Sequence, residues 1–532
     1  MFKRRLLAVL PSIILVLCAR WGYGQSPALE QPATPEALQA ALERRIGATD
    51  LGGGTLAVLI QEYPSGRVIY SREPLTPLKP ASCNKLHTTA AALYYLGADF
   101  HFETPLLALG EVRRGTLHGD LLVRGSGDPA ISARFQRDKS DLTAILRSWA
   151  QQLAELGIRR VAGRIIGDDD YFDDQYFGQG WYPRERAEWY CAEISALSFN
   201  DNCVDLIIRG GKAPGEFASI EVLPSIDYVQ IHNRVLTRSP DSREFVSFFR
   251  NDRSNVIEAR GSVRPGSERR EWAAVYNPTL FFVATLRATL IAEGIRVDGQ
   301  AVDLDDLPPD QRPVAKHALL AGGGERITKG AGSNGQTLSA DDHITTVGVL
   351  TSPPLRDIIG VINLNSQNFY AECVLKTIGR RMRGEGSFAA GCAAVEDFLK
   401  REGLWTPGST LVDGSGLSYH NRTSAEQLVR VLRWVRQRPQ WWPLYRDSLP
   451  QGGRTGTLNK RFQHRPEARA AAPQIYGKTG YIGGVRSMAG VIYTESGREL
   501  HYAFIANDFN ARDTAVLELL DDLATLCARS RF

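Results

Sequence analysis

Two pairs of predicted β-strands lie near opposite ends of the 532-residue chain and constrain its fold more than any other feature. Residues 55–60 and 67–71 form one pair around the turn residues Pro64-Ser65-Gly66, and residues 485–494 and 499–505 form the other around a Gly-containing turn. A lone two-stranded hairpin is only marginally stable in water. We therefore expect both ends of the chain to share one sheet, with the middle of the chain bulging out between them.

Helical patterns surround these strands. Thr34 caps a predicted helix that carries Pro35 in its first turn. Its buried stripe is Leu38, Ala41, Leu42 and Ile46; further helices are predicted over 355–362, 369–383, 389–402 and 425–436, and a closing helix carries Val516, Leu520, Leu523 and Cys527 on one side. Thr423 and Glu426 have the spacing of a capping box at the start of the helix over 425–436.

The middle of the chain has a different texture, in which short β-like runs alternate with Gly, Asp and Pro turns. The runs are 121–123, 164–166, 204–208 and 228–231, two helices are predicted over 142–156 and 280–293, and Gly-rich stretches at 321–324 and 330–335 suggest a linker. We interpret residues 99–336 as an inserted region of two subdomains. Residues 25–98 and 337–532 are then the two parts of the main domain.

The N-terminus predicts a secreted protein. A basic start is followed by the mostly apolar residues 6–19, too short a segment to span a bilayer comfortably. We interpret residues 1–24 as a signal peptide cleaved before Gln25, with an uncleaved anchor as the alternative. Cleavage would remove four basic residues and no acids, so the formal charge would fall from +4 to zero. A near-neutral chain offers no argument for nucleic-acid binding.

The cysteines and histidines predict neither a dense disulfide framework nor a metal site. After residue 24 the chain has six scattered cysteines, and its nine histidines show no spacing of the H-E-x-x-H type. We expect no metal and no cofactor. Cys191 with Cys203, or Cys373 with Cys392, could pair in an oxidising compartment, and the sequence leaves this connectivity open.

Three short motifs occur in order and carry the predicted chemistry. They are Ser82-Cys83-Asn84-Lys85, Ser366-Gln367-Asn368 and Lys478-Thr479-Gly480. Each alone is weak: Ser198-Phe199-Asn200 also fits the second pattern and Arg454-Thr455-Gly456 nearly fits the third. The first alone more often marks a solvated Ser and Lys that open an ordinary helix. The ordered trio is much harder to obtain by chance.

Together the motifs supply what acyl transfer requires. Ser82 would attack a carbonyl and form an ester, while Lys85, next to the cationic Lys478, would be neutral enough to take the serine proton. Ser366 could pass a proton toward the leaving nitrogen. Asn368 could hold both Lys85 and the substrate amide through its oxygen and its NH₂.

The third motif is predicted to bind substrate. Thr479 and Lys478 offer a hydroxyl and a positive charge to a carboxylate, and Gly480 lets the backbone approach the substrate closely. The backbone N–H groups of Ser82 and Tyr481 are the expected oxyanion-hole donors.

Further motifs over most of the chain extend this pattern. They are Gly125-Ser126-Gly127-Asp128-Pro129, residues 167–173, Gly178-Gln179-Gly180-Trp181, residues 195–202, residues 413–418, and Gly456-Thr457-Leu458 before Arg461-Phe462. With the trio, they make the chain resemble the class C low-molecular-mass penicillin-binding proteins, the D-alanyl-D-alanine carboxypeptidase/endopeptidases of bacterial cell walls. The resemblance implies an α+β fold, in which a β-lactamase/transpeptidase-like domain, an antiparallel sheet with helices, is interrupted by a large mixed α/β insert.

The resemblance also implies a function. We expect a periplasmic serine DD-peptidase that acts on peptidoglycan stem peptides through an acyl-enzyme on Ser82 and is inhibited by β-lactam antibiotics. One alternative is a serine β-lactamase, which shares the trio but needs fast deacylation. The other is a non-catalytic wall-binding protein of the same fold.

Two expectations concern specificity. In the family, an acidic residue of the insert meets the free amine of diaminopimelate, and its place after Gly167 assigns this role to Asp168, with Asp169 and Asp170 as alternatives. Tyr481 stands where many relatives have Thr or Ser, so carboxylate binding would depend on Thr479, Lys478 and Arg486. The balance of carboxypeptidase and endopeptidase activity stays open.

Residues 413–418 have the wrong spacing for a G-x-S-x-G esterase elbow, and we interpret them as a structural loop near the site.

Overall fold

Strands from both ends of the chain form one antiparallel sheet, which confirms the prediction. The computed structural model describes residues 29–313 and 344–532. The sheet has the order β16-β17-β18-β1-β2 and consists of β1 (Thr55–Tyr63), β2 (Val68–Arg72), β16 (Ile475–Ile482), β17 (Val485–Tyr493) and β18 (Glu499–Asn507). β18 lies between β1 and β17 and pairs antiparallel with both.

Helices cover both faces of this sheet because its strands alternate between two cores. Ala57 and Leu59 of β1 face one hydrophobic cluster, whereas Leu56, Val58 and Ile60 face the other. The first cluster contains α2 (Lys85–Tyr95), α5 (Leu355–Leu364), α6 (Asn368–Arg383), α7 (Phe388–Arg401), α8 (Ala425–Arg436) and α9 (Trp442–Ser448). The second contains α1 (Pro35–Gly47), α10 (Pro466–Ala471) and α11 (Asp513–Ala528).

The predicted buried stripe of α1 is confirmed, but the predicted cap of α8 is wrong. Ser424, not Thr423, caps α8, and its side chain accepts a hydrogen bond from the Gln427 N–H at 3.0 Å. Thr423 is held in an extended segment because its backbone exchanges two hydrogen bonds with Leu78. Glu426 instead accepts a hydrogen bond from Arg430 one turn along the helix, at 2.8 Å.

A mixed seven-stranded sheet forms the part of the insert next to the main domain. It consists of β3 (Glu103–Arg113), β4 (Thr116–Arg124), β5 (Arg160–Val161), β6 (Ile165–Asp168), β13 (Arg296–Val297), β14 (Ala301–Asp303) and β15 (Ile344–Thr351). Helices α3 (Ala144–Glu155) and α4 (Pro278–Ala292) pack against it. β15 lies beyond residue 336 and pairs with β3, so the insert's sheet takes a strand from the segment assigned by sequence to the main domain.

Two three-stranded sheets complete the insert. One contains β7 (Cys203–Arg209), β8 (Ser219–Leu223) and β12 (Glu268–Ala274), and the other contains β9 (Gln230–Thr237), β10 (Phe245–Arg250) and β11 (Val256–Val263). The proposed signal peptide and the Gly-rich stretches 321–324 and 330–335 lie outside the described residues. Within the described ranges, no helix combines the length and the apolar character needed to cross a membrane.

The six cysteines of the described ranges are all buried and free. Neither Cys191 with Cys203 nor Cys373 with Cys392 forms the disulfide that the sequence left open. Both pairs contribute instead to packing, as buried thiols commonly do.

Candidate active site

A tight turn places the predicted nucleophile beside the predicted base. After Pro80, a single 3₁₀ turn (Ala81–Asn84) precedes α2, which begins at Lys85. Side chains at positions i and i+3 of a 3₁₀ turn eclipse each other. Ser82 Oγ and Lys85 Nζ accordingly lie 3.0 Å apart.

The surroundings of Lys85 favour its neutral amine. Its Nζ also lies 2.6 Å from Asn368 Oδ1 and 2.8 Å from the Ser415 carbonyl oxygen. A neutral amine can donate to these two oxygens and keep its lone pair for the Ser82 hydroxyl. Complete burial, and then the nearby Lys478 cation, hold the pKa of Lys85 well below its usual value, although two buried carboxylates oppose this effect.

Lys478 holds the serine of the second motif. Lys478 lies in β16, and its Nζ donates to Ser366 Oγ at 2.8 Å and to the Thr479 carbonyl at 2.7 Å. Burial lowers the pKa of Lys478 to about 8. Ser366 has a left-handed backbone (φ 58°). Such a conformation costs about 1–3 kcal/mol in a residue other than glycine, so the surroundings must hold it in place.

The insert determines how Asn368 is oriented. Asn368 begins α6, and its Nδ2 donates to the Tyr190 carbonyl of the insert at 2.8 Å. Its Oδ1 is therefore left facing Lys85 Nζ. Because the two ends of the amide meet different partners, exchanging its oxygen and nitrogen would break both contacts.

Gly480 allows β16 to run directly against the nucleophile turn. A Cβ atom at this position would lie 2.7 Å from the Pro80 carbonyl oxygen and 3.0 Å from the Ser82 nitrogen. Only glycine fits this approach without displacing backbone. The position of Ser82 N–H beside β16 agrees with the predicted oxyanion hole, whose second donor, Tyr481 N–H, stays a prediction.

The side chains of Tyr481 and Arg486 are engaged with each other. Tyr481 is 58% exposed, and the Arg486 guanidinium lies 3.5 Å from the centre of its ring. Arg486 also pairs with Asp513 at 3.1 Å. Arg486 is therefore held by two partners, Tyr481 and Asp513.

Thr457 is a site residue that the sequence analysis did not assign. Its hydroxyl oxygen lies 2.6 Å from the hydroxyl oxygen of Thr479. In the sequence, Gly456-Thr457-Leu458 contributes only to the resemblance to the family. Two adjacent hydroxyls beside the Lys478 cation offer both hydrogen bonds and charge to a carboxylate.

A second missed element is the segment 413–418, which we call the carbonyl loop. Its successive carbonyl groups accept hydrogen bonds from the nucleophile turn and α2, as follows: Asp413 from Asn84, Gly414 from Thr88, and Ser415 from Lys85, all at 2.7–2.8 Å. The loop is thus part of the surroundings of the base, and not merely a structural loop near the site.

Two buried carboxylates hold the carbonyl loop. Glu372 accepts hydrogen bonds from the Gly414 and Ser415 N–H groups at 2.7 and 2.8 Å, and Asp413 accepts from the Gly416 N–H at 2.7 Å. Burial and the nearby Asp413 raise the pKa of Glu372 to about 8. Its place four residues after Asn368, on the same face of α6, was the available sequence signal.

Comparison with known proteins decides the family. The sequence profile of the D-Ala-D-Ala carboxypeptidase 3 (S13) family matches residues 38–319 and 320–528. The chain belongs to this family. Membership confirms the expected class of enzyme, a serine-type D-Ala-D-Ala carboxypeptidase, and with it the expected serine DD-peptidase function.

Relatives of the S13 family resemble the chain over most of its length. A D-alanyl-D-alanine carboxypeptidase of Actinomadura sp. (strain R39) is 30% identical over 500 residues, which cover 91% of this chain and 84% of the relative. D-alanyl-D-alanine carboxypeptidase DacB of Haemophilus influenzae is 24% identical, covering 87% of both chains. The crystal structure of penicillin binding protein 4 (dacB) from H. influenzae superposes with a TM-score of 0.72 at 22% identity, covering 92% of this chain and 99% of that one, and confirms the fold class.

The hydrogen bonds of Asp168 are made within the insert. Asp168 ends β6, and its carboxylate accepts hydrogen bonds from Arg124 Nε at 3.3 Å and from the Asp170 N–H at 3.2 Å, both within the insert. Asp169 accepts from Ser195 and Thr279, which also belong to the insert. The role of Asp168 against the amine of the substrate, with Asp169 and Asp170 as alternatives, stays a prediction.

A different segment of the insert, Tyr182–Tyr190, reaches the site. The Tyr190 carbonyl contacts Asn368, and the Tyr182 ring lies 5.0 Å from the ring of Tyr419 in the main domain. Glu185 belongs to this segment and is 26% exposed in its side chain. Ser198-Phe199-Asn200, which also fits the pattern of the second motif, lies in a local turn of the insert. Its Ser198 Oγ donates a hydrogen bond to the Ser195 carbonyl.

Proposed function

We propose that the protein cleaves the D-alanyl-D-alanine bond of peptidoglycan stem peptides through an ester on Ser82. The contact that carries the proposal is the 3.0 Å distance between Ser82 Oγ and a buried Lys85 whose pKa is depressed. A serine hydroxyl at its ordinary pKa is a weak nucleophile and needs an adjacent base. Lys85 supplies that base at neutral pH.

In the proposed acylation, Lys85 takes the Ser82 proton while Oγ attacks the carbonyl carbon of the penultimate D-alanine. The negative charge on the carbonyl oxygen is stabilised by the N–H groups of Ser82 and Tyr481. When the tetrahedral intermediate collapses, the C–N bond breaks, and Ser366, which accepts a hydrogen bond from Lys478 at 2.8 Å, relays to the departing amine the proton that Lys85 took from Ser82. Lys85 thereby returns to its neutral form. Water then hydrolyses the ester, and Ser82 regains its proton.

We assign the terminal carboxylate of the substrate to Thr479, Thr457 and the Lys478 cation. The 2.6 Å contact between the two threonine hydroxyls supports this assignment, because a carboxylate can accept from both. Thr457 would provide the hydroxyl that Tyr481 does not. β-Lactam antibiotics carry a comparable carboxylate beside a reactive amide and are expected to acylate Ser82 by the same route.

Release of D-alanine tests the proposed function directly. The purified protein is given an acetylated stem peptide ending in D-Ala-D-Ala, and free D-alanine is measured with and without prior incubation with penicillin. We expect release that penicillin abolishes. A protein that binds the peptide without releasing D-alanine, or that releases it equally well after penicillin treatment, would contradict the proposal.

We predict a bell-shaped pH dependence of acylation. The rate should rise as Lys85 loses its proton, because only the neutral amine is a base, and fall above about pH 8 as Lys478 loses its charge. In Lys478→Arg the falling limb should disappear up to about pH 10, since a guanidinium stays protonated. Stopped-flow acylation by a chromogenic β-lactam, followed from about pH 5 to 10, measures both the rising and the falling limb of the profile. A falling limb that persists unchanged in the arginine variant would contradict this assignment.

We further propose that Glu185, rather than Asp168, meets the free amine of the stem peptide. Glu185 lies in the segment that contacts Asn368, and burial raises its pKa, so an ammonium ion placed against it would favour its charged form. Glu185→Gln is expected to lower kcat/KM about tenfold for a peptide with a free side-chain amine. The same peptide with that amine acetylated is the control and should be unaffected. Equal losses of kcat/KM on both peptides in Glu185→Gln would refute the role of Glu185 in binding the amine. Asp168→Asn should have the same effect on kcat/KM for both peptides.

We also propose that the enzyme acts in the periplasm after removal of residues 1–24. The basic start and the apolar residues 6–19 support export. N-terminal analysis of protein recovered from the periplasmic fraction should give Gln25 as the first residue. An intact Met1 on membrane-bound protein would indicate an anchor instead.

A further inference from the structure

The middle residue of the second motif contacts the insert. Gln367 is 4% exposed, and its Nε2 donates to Asp201 Oδ2 at 2.9 Å. Asp201 lies in the turn Asn200–Asn202, and the same oxygen accepts from the Arg134 guanidinium at 2.6 Å. The Arg134 guanidinium also lies over the ring of Tyr370, 5.6 Å from its centre. The side chain of Gln367 thus contacts Asp201, which Arg134 holds from the other side.

This contact lies next to the left-handed residue Ser366. Gln367 is tied to Asp201, and the following residue, Asn368, is tied to the Tyr190 carbonyl. The insert therefore holds two successive residues immediately after Ser366. Because a serine at φ 58° keeps this unfavourable backbone only where its surroundings hold it, the two contacts lie where they can stabilise the conformation of Ser366.

We infer that the Asp201–Arg134 pair of the insert is a positioning element, which acts through Gln367 to keep the Ser366 hydroxyl on Lys478. The polarity of the contact is specific: the amide of Gln367 donates, and the carboxylate of Asp201 accepts. An acidic residue at position 367 would instead place its carboxylate against that of Asp201 in a largely buried position. The inference rests on the proposed acylation of Ser82 and adds to it residues that do not touch the substrate.

Reversing the polarity of the contact tests the inference. Gln367→Glu, Asp201→Asn and the double variant are compared with wild type in the rate of acylation by a fluorescent penicillin. Gln367→Glu is expected to slow acylation about 30-fold, because like charges meet where water is scarce. Asp201→Asn alone should cost about threefold, since an amide oxygen still accepts from Gln367. The double variant should recover to within about fivefold of wild type, because its amide can donate to the new carboxylate.

The pH dependence provides a second readout that loss of packing would not change. In Gln367→Glu, the deficit relative to wild type should shrink below about pH 6, where the two facing carboxyl groups share a proton and one again donates. Gln367→Met removes the donor without adding charge. It should slow acylation about tenfold at every pH, because the missing hydrogen bond does not titrate.

Asp120→Asn is the matched control for breaking an ion pair in the insert. Asp120 pairs with Arg164 at 2.9 Å, and the two side chains are 20% and 29% exposed, against 17% and 32% for Asp201 and Arg134. We expect this variant to acylate at the wild-type rate. Circular dichroism and the melting temperature show which variants are folded before their rates are compared.

Two outcomes would overturn the inference: wild-type acylation in Gln367→Glu, or a double variant no faster than Gln367→Glu alone. Failure of the proposed function is distinguishable, because wild type itself would then lack an adduct on Ser82. If Gln367→Glu does not fold, the comparison of Gln367→Met with and without Asp201→Asn replaces it. If Asp201 acts through Gln367, adding Asp201→Asn to Gln367→Met should reduce the acylation rate little further. Losses of the acylation rate that multiply in the double variant would contradict the inference.

Discussion

Replacing Ser82 with alanine is expected to abolish covalent labelling by penicillin and to reduce D-alanine release by at least about 10³-fold. Ser82 is the hydroxyl that lies 3.0 Å from the buried Lys85 amine. The neighbouring Cys83 cannot replace it, because this thiol is completely buried and burial raises its pKa. Intact-protein mass spectrometry after penicillin treatment, followed by peptide mapping, locates any adduct. Wild type should carry one adduct, on the peptide that contains Ser82.

The lifetime of the adduct separates the peptidase from a β-lactamase of the same fold. A DD-peptidase should keep the penicilloyl ester for many minutes, whereas a β-lactamase would release it within seconds. Ser198→Ala, in the decoy motif of the insert, is the control and should label like wild type. An adduct that persists in Ser82→Ala would show that another residue is acylated and would remove the basis of the mechanism.

Replacing Lys85 with arginine should lower the acylation rate about 10³- to 10⁴-fold, because it puts a permanent cation in place of the neutral amine. A guanidinium keeps its proton at every accessible pH, so it cannot accept the proton of Ser82. The rate of this variant should not increase with pH, whereas the wild-type rate should increase over the rising limb of its profile, where Lys85 loses its proton. Single-turnover acylation, followed from about pH 6 to 10, measures this difference between the variant and wild type.

Lys376→Arg is the matched control for placing a larger cation in a buried position. Like Lys85, Lys376 is 0% exposed, but it lies between the rings of Phe172 and Phe388 and pairs with Asp173 at 2.7 Å. This variant should lose thermal stability and keep the wild-type pH profile of acylation. If the acylation rate of Lys85→Arg is within about tenfold of the rate of Lys376→Arg, the base that takes the Ser82 proton is another group.

Much of the main domain could be predicted from the sequence because its signals are local. The strand pairs around residues 64–66 and 495–497 were recognisable from their turns, and α1 from its cap and its apolar stripe. The second and third motifs were recognisable for the same reason, since the three residues of each are consecutive in the sequence. The structure confirms that these distant segments meet, with Lys85 on Asn368 and Lys478 on Ser366.

What the sequence did not show are contacts between segments without a shared motif. Thr457 meets Thr479 only because a 3₁₀ turn is folded against β16, and Glu372 binds the carbonyl loop across a tertiary contact. The place of Asp168 after a glycine is a local signal, and local sequence does not tell which loop of the insert faces the cleft. The Tyr190 carbonyl could not be identified at all, because a backbone group leaves no mark in the sequence.

The pairing of β3 with β15 has a consequence for the order in which the chain folds. The antiparallel register ends with Glu103 opposite Thr351, and the next residues, Phe102 and Ser352, exchange hydrogen bonds. An insert that folds first therefore brings residues 102 and 352 together before the main domain assembles. The separation that the main domain must close between Ser82 and Ser366 then shrinks from hundreds of residues to a few tens, which lowers the entropy cost of closure and raises the expected folding rate.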